Sequence, residues 1–430
     1  MVLPPGFKYN EKELAMFLIK KITDMAGKIR RFNLWYQRFI KQHGDQKLTL
    51  KFSILQFTLW STWCSFFSFA GMYFVHNGYS FSLVGVSISV AISCGIAGQV
   101  FWGFLSDKMQ SIKKIFILAN ILLILAILTF SRPISTFHVL ISIGFLGFCQ
   151  MPQPAILDSW ILKKNVTIPL NYGFIRMWAA IGFSCFGWII GLSIEGAGYW
   201  VMFMFAAVFV SGTVTVSLLC ADAAGSRQGI NLHNMWQCYV RLIKNKTYLL
   251  FLIACFLIGL GNQATDTLLP LVVTDVGGNS GDQGMIMFLA AITELPFFFY
   301  SAKIFSRFRP RQCFIFTCCA FGIQYLMIAL AQSIAMVAIG MMFQGVGFSV
   351  LLPNLRTFAY QNAPEQLRTS AQTLTDATYA GLAGVVASAC GAVIIEQASV
   401  TVLFSICIGF VLIAMSLFLK VTAEHSSKTY

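Results

Sequence analysis

Charged side chains are scarce in this sequence. They make up 11% of the 430 residues, and only 16 of them are acidic, against 30 lysines and arginines. A soluble domain of this length needs a far more polar surface, so the composition excludes a water-soluble enzyme or scaffold. Because 57% of the residues are hydrophobic, the solvent around most of the chain must be lipid.

The patterns that usually mark catalytic, metal or disulfide sites are missing as well. The 12 cysteines are scattered through apolar runs, with no CxxC pair and no Cys/His spacing typical of a metal site. We find no nucleophile and base pair and no phosphate loop. We therefore expect no enzymatic activity, no cofactor, no metal site and no disulfide framework.

Long apolar runs fill the sequence instead. A helix needs about 20 apolar residues to cross a hydrocarbon core of about 30 Å, and twelve such runs can be counted. We predict an all-α polytopic membrane protein with twelve transmembrane helices in two six-helix bundles. The predicted parts are an N-terminal extension at 1–50, a first bundle at 51–220, a linker at 221–246, a second bundle at 247–420 and a tail at 421–430.

Lysines and arginines are concentrated in alternate loops, which predicts the orientation of the chain. The loops at 108–114, 163–164, 227–246 and 307–311 all fall on one side. Positively charged loops are retained in the cytoplasm during insertion, so we expect both termini there, in a plasma or bacterial inner membrane. This distribution accounts for the net charge of +14 without a nucleic-acid partner.

The first fifty residues combine an apolar stripe at helical spacing with lysines and arginines at the remaining positions. This pattern predicts a basic amphipathic helix that lies on the anionic cytoplasmic leaflet. Two other interpretations stay open: an arm that packs against the bundle, and an upstream start codon, with Met16 or Met25 as the true first residue.

Ionised side chains inside predicted spans are costly, so each should be paired, hydrated or functional. Asp158 in the fourth span and Arg176 in the fifth lie at similar depth and are expected to be partners. Together they could bind several hydroxyl groups of a polar solute. The alternative is an ion pair that only fixes helix packing. Phe183 lies two turns along the Arg176 face, where its ring could stack on a solute or fill the core.

Three carboxylates in the second half are candidates for ion coupling. Glu294 lies in the middle of the eighth span with no cation nearby in sequence, so it is either protonated or faces a hydrated cavity. It is therefore also a candidate solute ligand. Asp266 in the seventh span and Asp376 in the eleventh could bind a coupling ion or could be hydrogen-bonded packing or gate residues.

The loop between the second and third spans reads WGFLSDKMQSIKK from 102 to 114. It resembles the signature of the major facilitator superfamily, in which a glycine, an aspartate and several basic residues flank a tight turn. Gln110 replaces the usual turn glycine. The resemblance implies a conformational latch made by Gly103, Asp107, Lys108, Lys113 and Lys114.

A second segment, YGFIRMWAAIGFS from 172 to 184, resembles the fifth helix of the oligosaccharide:proton symporter branch that includes lactose permease. The resemblance implies solute binding by Asp158, Arg176, Phe183 and Glu294. The coupling cluster of that branch (histidine, arginine, glutamate and lysine) is missing. Its positions appear here as Gln324, Val346, Ser349 and Leu382, which leaves Asp266, Glu294 and Asp376 as the coupling candidates.

These features predict a secondary active transporter that works by alternating access. We expect a monomeric, proton-coupled symporter of a small polar solute such as a sugar or nucleoside, with sodium as the alternative ion and the bilayer as its other partner. Two alternatives stay open: an organic-anion or drug exporter of the same superfamily, and a signalling or assembly protein that keeps the scaffold without transporting.

Overall fold

The computed structural model describes residues 46–131, 135–168, 170, 172–223, 240, 242–299, 307–363 and 368–426. The predicted amphipathic helix of the N-terminal extension, most of the predicted linker and the end of the predicted tail lie outside these residues. Residues 46–50 of the predicted extension belong to the first helix.

All regular structure in the described part of the chain is helical, as the composition predicts. The first half contains α1 (Gln46–His76), α2 (Phe81–Met109), α3 (Ile112–Phe130), α4 (Thr136–Gln150), α5 (Gln153–Thr167), α6 (Tyr172–Ala197) and α7 (Trp200–Leu218). The second half contains α8 (Lys246–Asp275), α9 (Ser280–Phe299), α10 (Pro310–Ala329), α11 (Ile334–Asn362), α12 (Arg368–Asp376), α13 (Ala383–Gln397) and α14 (Val400–Ser426).

Two of the predicted spans are each built from two helices. The fourth span breaks between α4 and α5 at Met151 and Pro152, since proline lacks the backbone N–H that would continue the hydrogen-bond ladder. The eleventh span contains α12 and α13, which are joined by a π-helical turn at Ala377–Leu382. Such wide turns often occur at functional sites.

Ten helical spans in the described part of the chain are long and apolar enough to cross a bilayer. The two other long helices that the sequence predicts as spans, α1 and α9, are not among these ten. In α1 the polar residues include Gln56 and several buried serines and threonines. In α9 they include Asp282, Gln283 and Glu294. These two helices also carry contacts of the candidate site and of the interface between the halves.

Each half forms a bundle of its own. In the first bundle α1 packs against α6 and α7, and α2 packs against α4. In the second bundle α10 packs against α11 and α14, and α8 packs against α13 and α14. Glycine permits the closest crossings, because a Cβ at Gly147 of α4 would lie 2.1 Å from the Ala91 carbonyl oxygen of α2. Small residues of this kind let membrane helices approach closely.

The two ends of the molecule differ in charge. One end, which we call the basic face, contains the α2–α3 turn, the C-terminus of α5 and the N-termini of α8 and α10. The α2–α3 turn is closed by Gln110, whose φ is +50°, in the left-handed region that glycine normally occupies. The opposite end, which we call the closed face, contains the loops after α1, α6, α8 and α13.

The two bundles meet toward the closed face. There α6 packs on α9, α2 packs on α13, and α1 packs on α8. Hydrogen bonds cross the interface: Ser89 contacts Ser388 at 2.9 Å, and the Gln283 amide donates to the carbonyl oxygen of Ser68. The contacts therefore join two separate bundles at one end of the molecule.

Candidate functional site

A buried glutamine links the two charged residues predicted for the first bundle. The Nε2 atom of Gln56 donates to Oδ1 of Asp158 at 2.8 Å, and Nη1 of Arg176 donates to Oε1 of Gln56 at 3.1 Å. Asp158 and Arg176, which the sequence predicts to be partners, are therefore connected through Gln56. One amide offers both a donor and an acceptor, so it bonds to both charged groups.

This bridge leaves hydrogen-bonding capacity unused. Gln56 is fully buried, whereas Asp158 and Arg176 are half-buried. A guanidinium has five N–H donors and a carboxylate accepts about four hydrogen bonds, so each charged group can still bind a partner. Charge-assisted hydrogen bonds of this kind are the stronger ones in proteins. The arrangement suits a solute that presents several hydroxyl groups.

The ring of Trp60 contacts the Arg176 guanidinium, and other aromatic rings pack on Trp60. Its Cζ atom lies 4.6 Å from the centroid of the Trp60 ring, a cation–π distance. Trp60 in turn stacks on Trp63 with centroids 5.8 Å apart. Phe183 meets Trp60 edge-on at 6.2 Å. Phe183 therefore packs on the ring that contacts Arg176, and its role in solute binding stays a prediction.

A further side chain lies near this cluster. Tyr172, the first residue of α6, is half-buried and lies near the Asp158 carboxylate.

The candidate coupling residues of the second bundle form a separate cluster. Asp266 accepts hydrogen bonds from the Nδ2 atom of Asn262 at 2.9 Å and from the Gln344 amide. Glu294 packs beside Gly345, where a Cβ would lie 3.2 Å from its Cγ atom. The two carboxylates therefore contact adjacent residues of α11, Gln344 and Gly345. Asp266 is exposed and Glu294 is half-buried, and two neighbouring carboxylates inside a membrane bundle favour a bound cation or proton.

The contact that the structure shows for Glu294 is within its own bundle. A Cβ on Gly345 of α11 would lie 3.2 Å from its Cγ atom. Asp158 and Arg176 belong to α5 and α6 of the first bundle. A joint site formed by Asp158, Arg176 and Glu294 stays a prediction.

Asp376 has a different partner from the other two carboxylates. Its Oδ2 atom forms an ion pair with Nη2 of Arg356 at 3.2 Å, and its Oδ1 atom accepts from Nε of Arg356 at 3.4 Å. The Arg356 side chain is 52% exposed and the Asp376 side chain is 41% exposed. Exposure of this order between helices toward the basic face indicates that water reaches this part of the molecule.

The predicted latch residues surround the α2–α3 turn. The Nζ atom of Lys113 donates to the carbonyl oxygens of Leu218 at 2.7 Å and Cys220 at 2.8 Å. A cation there complements the C-terminal end of α7. Gly103 lies in α2, and Lys108 and Lys114 are exposed. The side chain of Asp107 lies outside the described residues.

An aspartate that the sequence did not single out completes this turn. Asp222 accepts from the backbone N–H of Lys113 at 2.9 Å and from the Ser111 hydroxyl. It therefore caps the N-terminus of α3 from a position just beyond α7. Lys113 and Asp222 together tie α3 to the C-terminal end of α7 within the first bundle.

Gln56, Trp60 and Tyr172 are the site residues that sequence reasoning missed. Uncharged polar and aromatic residues are common in membrane helices, so composition alone does not single them out. A usable signal existed for Gln56 and Trp60, because they are four residues apart in α1 and therefore share a helix face. Tyr172 is the first residue of the segment 172–184 that resembles the fifth helix of the symporter branch, and it has no separate signal of its own.

The chain matches a known family along most of its length. The model of the family described as "MFS_1 like family" matches residues 49–406. The uncharacterized transporter YwbF of Bacillus subtilis is 23% identical over 68% of this chain and 73% of its own length. The maltose permease of Geobacillus stearothermophilus is 21% identical over 80% of this chain and 89% of its own length.

Solved structures share the fold. The nucleoside transporter NupG superposes with a TM-score of 0.74 and 18% identity, over 87% of this chain and 98% of NupG. A bacterial homolog of the human lysosomal transporter Spinster, in an inward-facing and unoccupied conformation, gives a TM-score of 0.62 with 11% identity, over 87% of this chain and 98% of that protein. At these identities the likeness concerns the fold alone.

Proposed function

Given that this chain belongs to the MFS_1 like family of membrane transporters, we propose that it carries a small polar solute together with a proton. The solute class that we favour is a sugar or a nucleoside. The transporter assignment rests on the family match, whereas the solute, the ion and the orientation are our proposal. We place the basic face in the cytoplasm, because positively charged loops are retained there, with the closed face outside.

One observation carries the solute proposal: a buried amide connects a carboxylate and a guanidinium inside a membrane bundle. Leaving Asp158 and Arg176 half-buried in the interior is costly unless they are used. Their free donors and acceptors match the vicinal hydroxyls of a sugar or ribose ring. Trp60 and Phe183 add flat apolar surface beside them, which suits the apolar side of the same rings.

The coupling proposal rests on the second bundle. Asp266 and Glu294 contact adjacent residues of α11, and in the described part of the chain Asp266 accepts hydrogen bonds from the uncharged amides of Asn262 and Gln344. A proton is the simplest cation that can neutralise such a pair. Binding and release of that proton would change the charge of the second bundle while solute binds the first. Sodium is the alternative, and the experiment below separates the two.

Alternating access supplies the transport step. The bundles pack together toward the closed face, whereas Arg356 and Asp376 are exposed toward the basic face. We assign this structure to the inward-facing conformation. Rocking of the two bundles about the central site would open the closed face and bring α5 and α11 together.

A thermal-shift screen of the purified protein tests the solute class. Sugars, nucleosides and aromatic acids are added in turn, because a ligand that binds the native state raises its stability. We expect one class to stabilise the wild type and an Arg311→Ala control, whose arginine is exposed at the basic face, but not Arg176→Ala. Equal stabilisation of Arg176→Ala would refute the site.

The coupling ion is tested by uptake of the identified solute into proteoliposomes. We expect an inwardly directed proton gradient, with the outside more acidic, to drive accumulation of the solute above its external concentration. A protonophore should abolish this accumulation. A sodium gradient at constant pH should have no effect. Accumulation that follows sodium and ignores the protonophore would overturn the proton assignment but leave the solute site intact.

A further inference from the structure

Glu195 connects the two bundles at the closed face. It lies at the C-terminal end of α6 and is exposed. Its Oε1 atom accepts a hydrogen bond from Nδ2 of Asn279 at 3.0 Å, and Asn279 is the residue before α9. Its Oε2 atom lies 2.5 Å from the position of a Cβ on Gly281, in the first turn of α9. A carboxylate of the first bundle therefore lies at a helix N-terminus of the second.

Glu396 makes the reciprocal contact. It is exposed at the C-terminal end of α13, and its Oε2 atom accepts from the backbone N–H of Ser82 at 2.5 Å. Ser82 belongs to the first turn of α2. A carboxylate of the second bundle therefore lies at a helix N-terminus of the first bundle.

The helices beside these contacts cross in matching ways. A Cβ at Gly191 of α6 would lie 2.3 Å from the Ser280 carbonyl oxygen, at the start of α9. A Cβ at Gly85 of α2 would lie 2.2 Å from the Ser388 carbonyl oxygen of α13. The α6–α9 pair joins the fifth and eighth spans, and the α2–α13 pair joins the second and eleventh. Exchanging the two six-span halves converts one pair into the other.

We propose that Glu195 and Glu396 form a symmetric pair of electrostatic latches that hold the closed face shut. The first-turn N–H groups of a helix lack intrahelical partners and carry the positive end of the helix dipole. Glu396 accepts a first-turn N–H of α2 directly. Glu195 lies beside the first turn of α9 and accepts from the side-chain amide of Asn279, whose backbone N–H donates to Asp282. Separation of the bundles would remove both carboxylates from their helix termini at once. The two contacts therefore stabilise the closed face relative to the open one.

Distances between the bundles test the proposal directly. Nitroxide labels are attached through p-acetylphenylalanine at Asn77 and Ala398, which are exposed at the closed face in different bundles, and pulsed electron spin resonance gives the distance distribution. We expect each of Glu195→Gln and Glu396→Gln to raise the open-to-closed ratio roughly two- to five-fold, and the double variant roughly four- to 25-fold, since the latches share no partner.

Charge-reversed variants separate a dipole effect from lost packing. Glutamine keeps the size of glutamate and removes only its charge, whereas lysine places a positive charge at the positive end of the helix dipole. Glu195→Lys with Glu396→Lys should therefore open the closed face further than the double glutamine variant. Asp275→Asn is the matched control, because it removes a carboxylate exposed at the same face and should leave the distances unchanged. Identical distributions in the wild type and both double variants would overturn the latch, as would an equal shift in the control.

This inference depends on the alternating-access part of the proposed function but not on the solute. The distances are recorded without any solute present, so a screen that identifies no ligand leaves the result interpretable. Size-exclusion elution and circular dichroism of each variant show that it is folded before its distances are compared.

Discussion

Replacing Gln56 by leucine should weaken solute binding without unfolding the protein. Leucine has a similar volume and cannot bond to either charged neighbour. The substitution removes the 2.8 Å bond to Asp158 and the 3.1 Å bond from Arg176. Both charged groups then lose the partner that fixes their position, and part of the solute-binding free energy is spent on ordering them.

The size of the effect follows from the two lost bonds. A hydrogen bond to a charged group contributes about 1.5–3 kcal/mol, so the upper limit for two is about 3–6 kcal/mol. The site can relax, because Asp158 and Arg176 can approach each other once the amide is gone. We therefore expect a loss near that of one bond, which corresponds to roughly a 10- to 100-fold higher Kd.

Equilibrium binding of the solute found in the thermal-shift screen measures this change. Gln153→Leu is the matched control, because Gln153 is also fully buried in the first bundle and accepts from Asn120 at 3.0 Å. The control should lower thermal stability and leave Kd unchanged. A Gln56→Leu protein with wild-type affinity would refute the bridge as part of the solute site.

Three other substitutions give direct tests. Gln110→Gly should have a free energy of unfolding about 1 kcal/mol higher than Gln110→Ala, because glycine adopts the φ of +50° without steric strain. A higher unfolding temperature of the glycine variant would show this. Gly147→Val should prevent folding, since its Cβ would lie 2.1 Å from the Ala91 carbonyl oxygen, whereas Gly409→Val, with no neighbour within 4 Å, should elute as a normal monodisperse peak. Glu294→Gln should retain solute exchange across proteoliposomes but lose accumulation driven by a pH gradient; retained accumulation would exclude Glu294 as the proton carrier.

Much of the architecture could be predicted from the sequence. Apolar length predicts an all-helical chain that crosses a membrane many times, because it is a one-dimensional property of the sequence; twelve spans were predicted, and ten are long and apolar enough among the described residues. The breaks at Pro152 and in the segment 377–382 were not predicted. A π turn has no strong composition signal, and prolines are tolerated within membrane helices.

The candidate site was predicted only in part. Asp158 and Arg176 were identified because charge inside a membrane is rare. Gln56 was missed because an uncharged amide has no such rarity, and its role depends on which helices are neighbours. The prediction that Glu294 joins the same site stays a prediction, because the contact that the structure shows for it is with Gly345 of its own bundle.

The π-helical turn at Ala377–Leu382 divides one membrane span into two mechanical parts. The part nearer the closed face is anchored to the first bundle through Ser388. The other part ends at Asp376 and is tied to α11 through Arg356. A π turn closes i→i+5 hydrogen bonds and so contains one residue more than an α-helical turn, and we expect it to bend more readily than the α-helices on either side. Asp376 can therefore follow the movement of α11 while the far end of its own span stays docked.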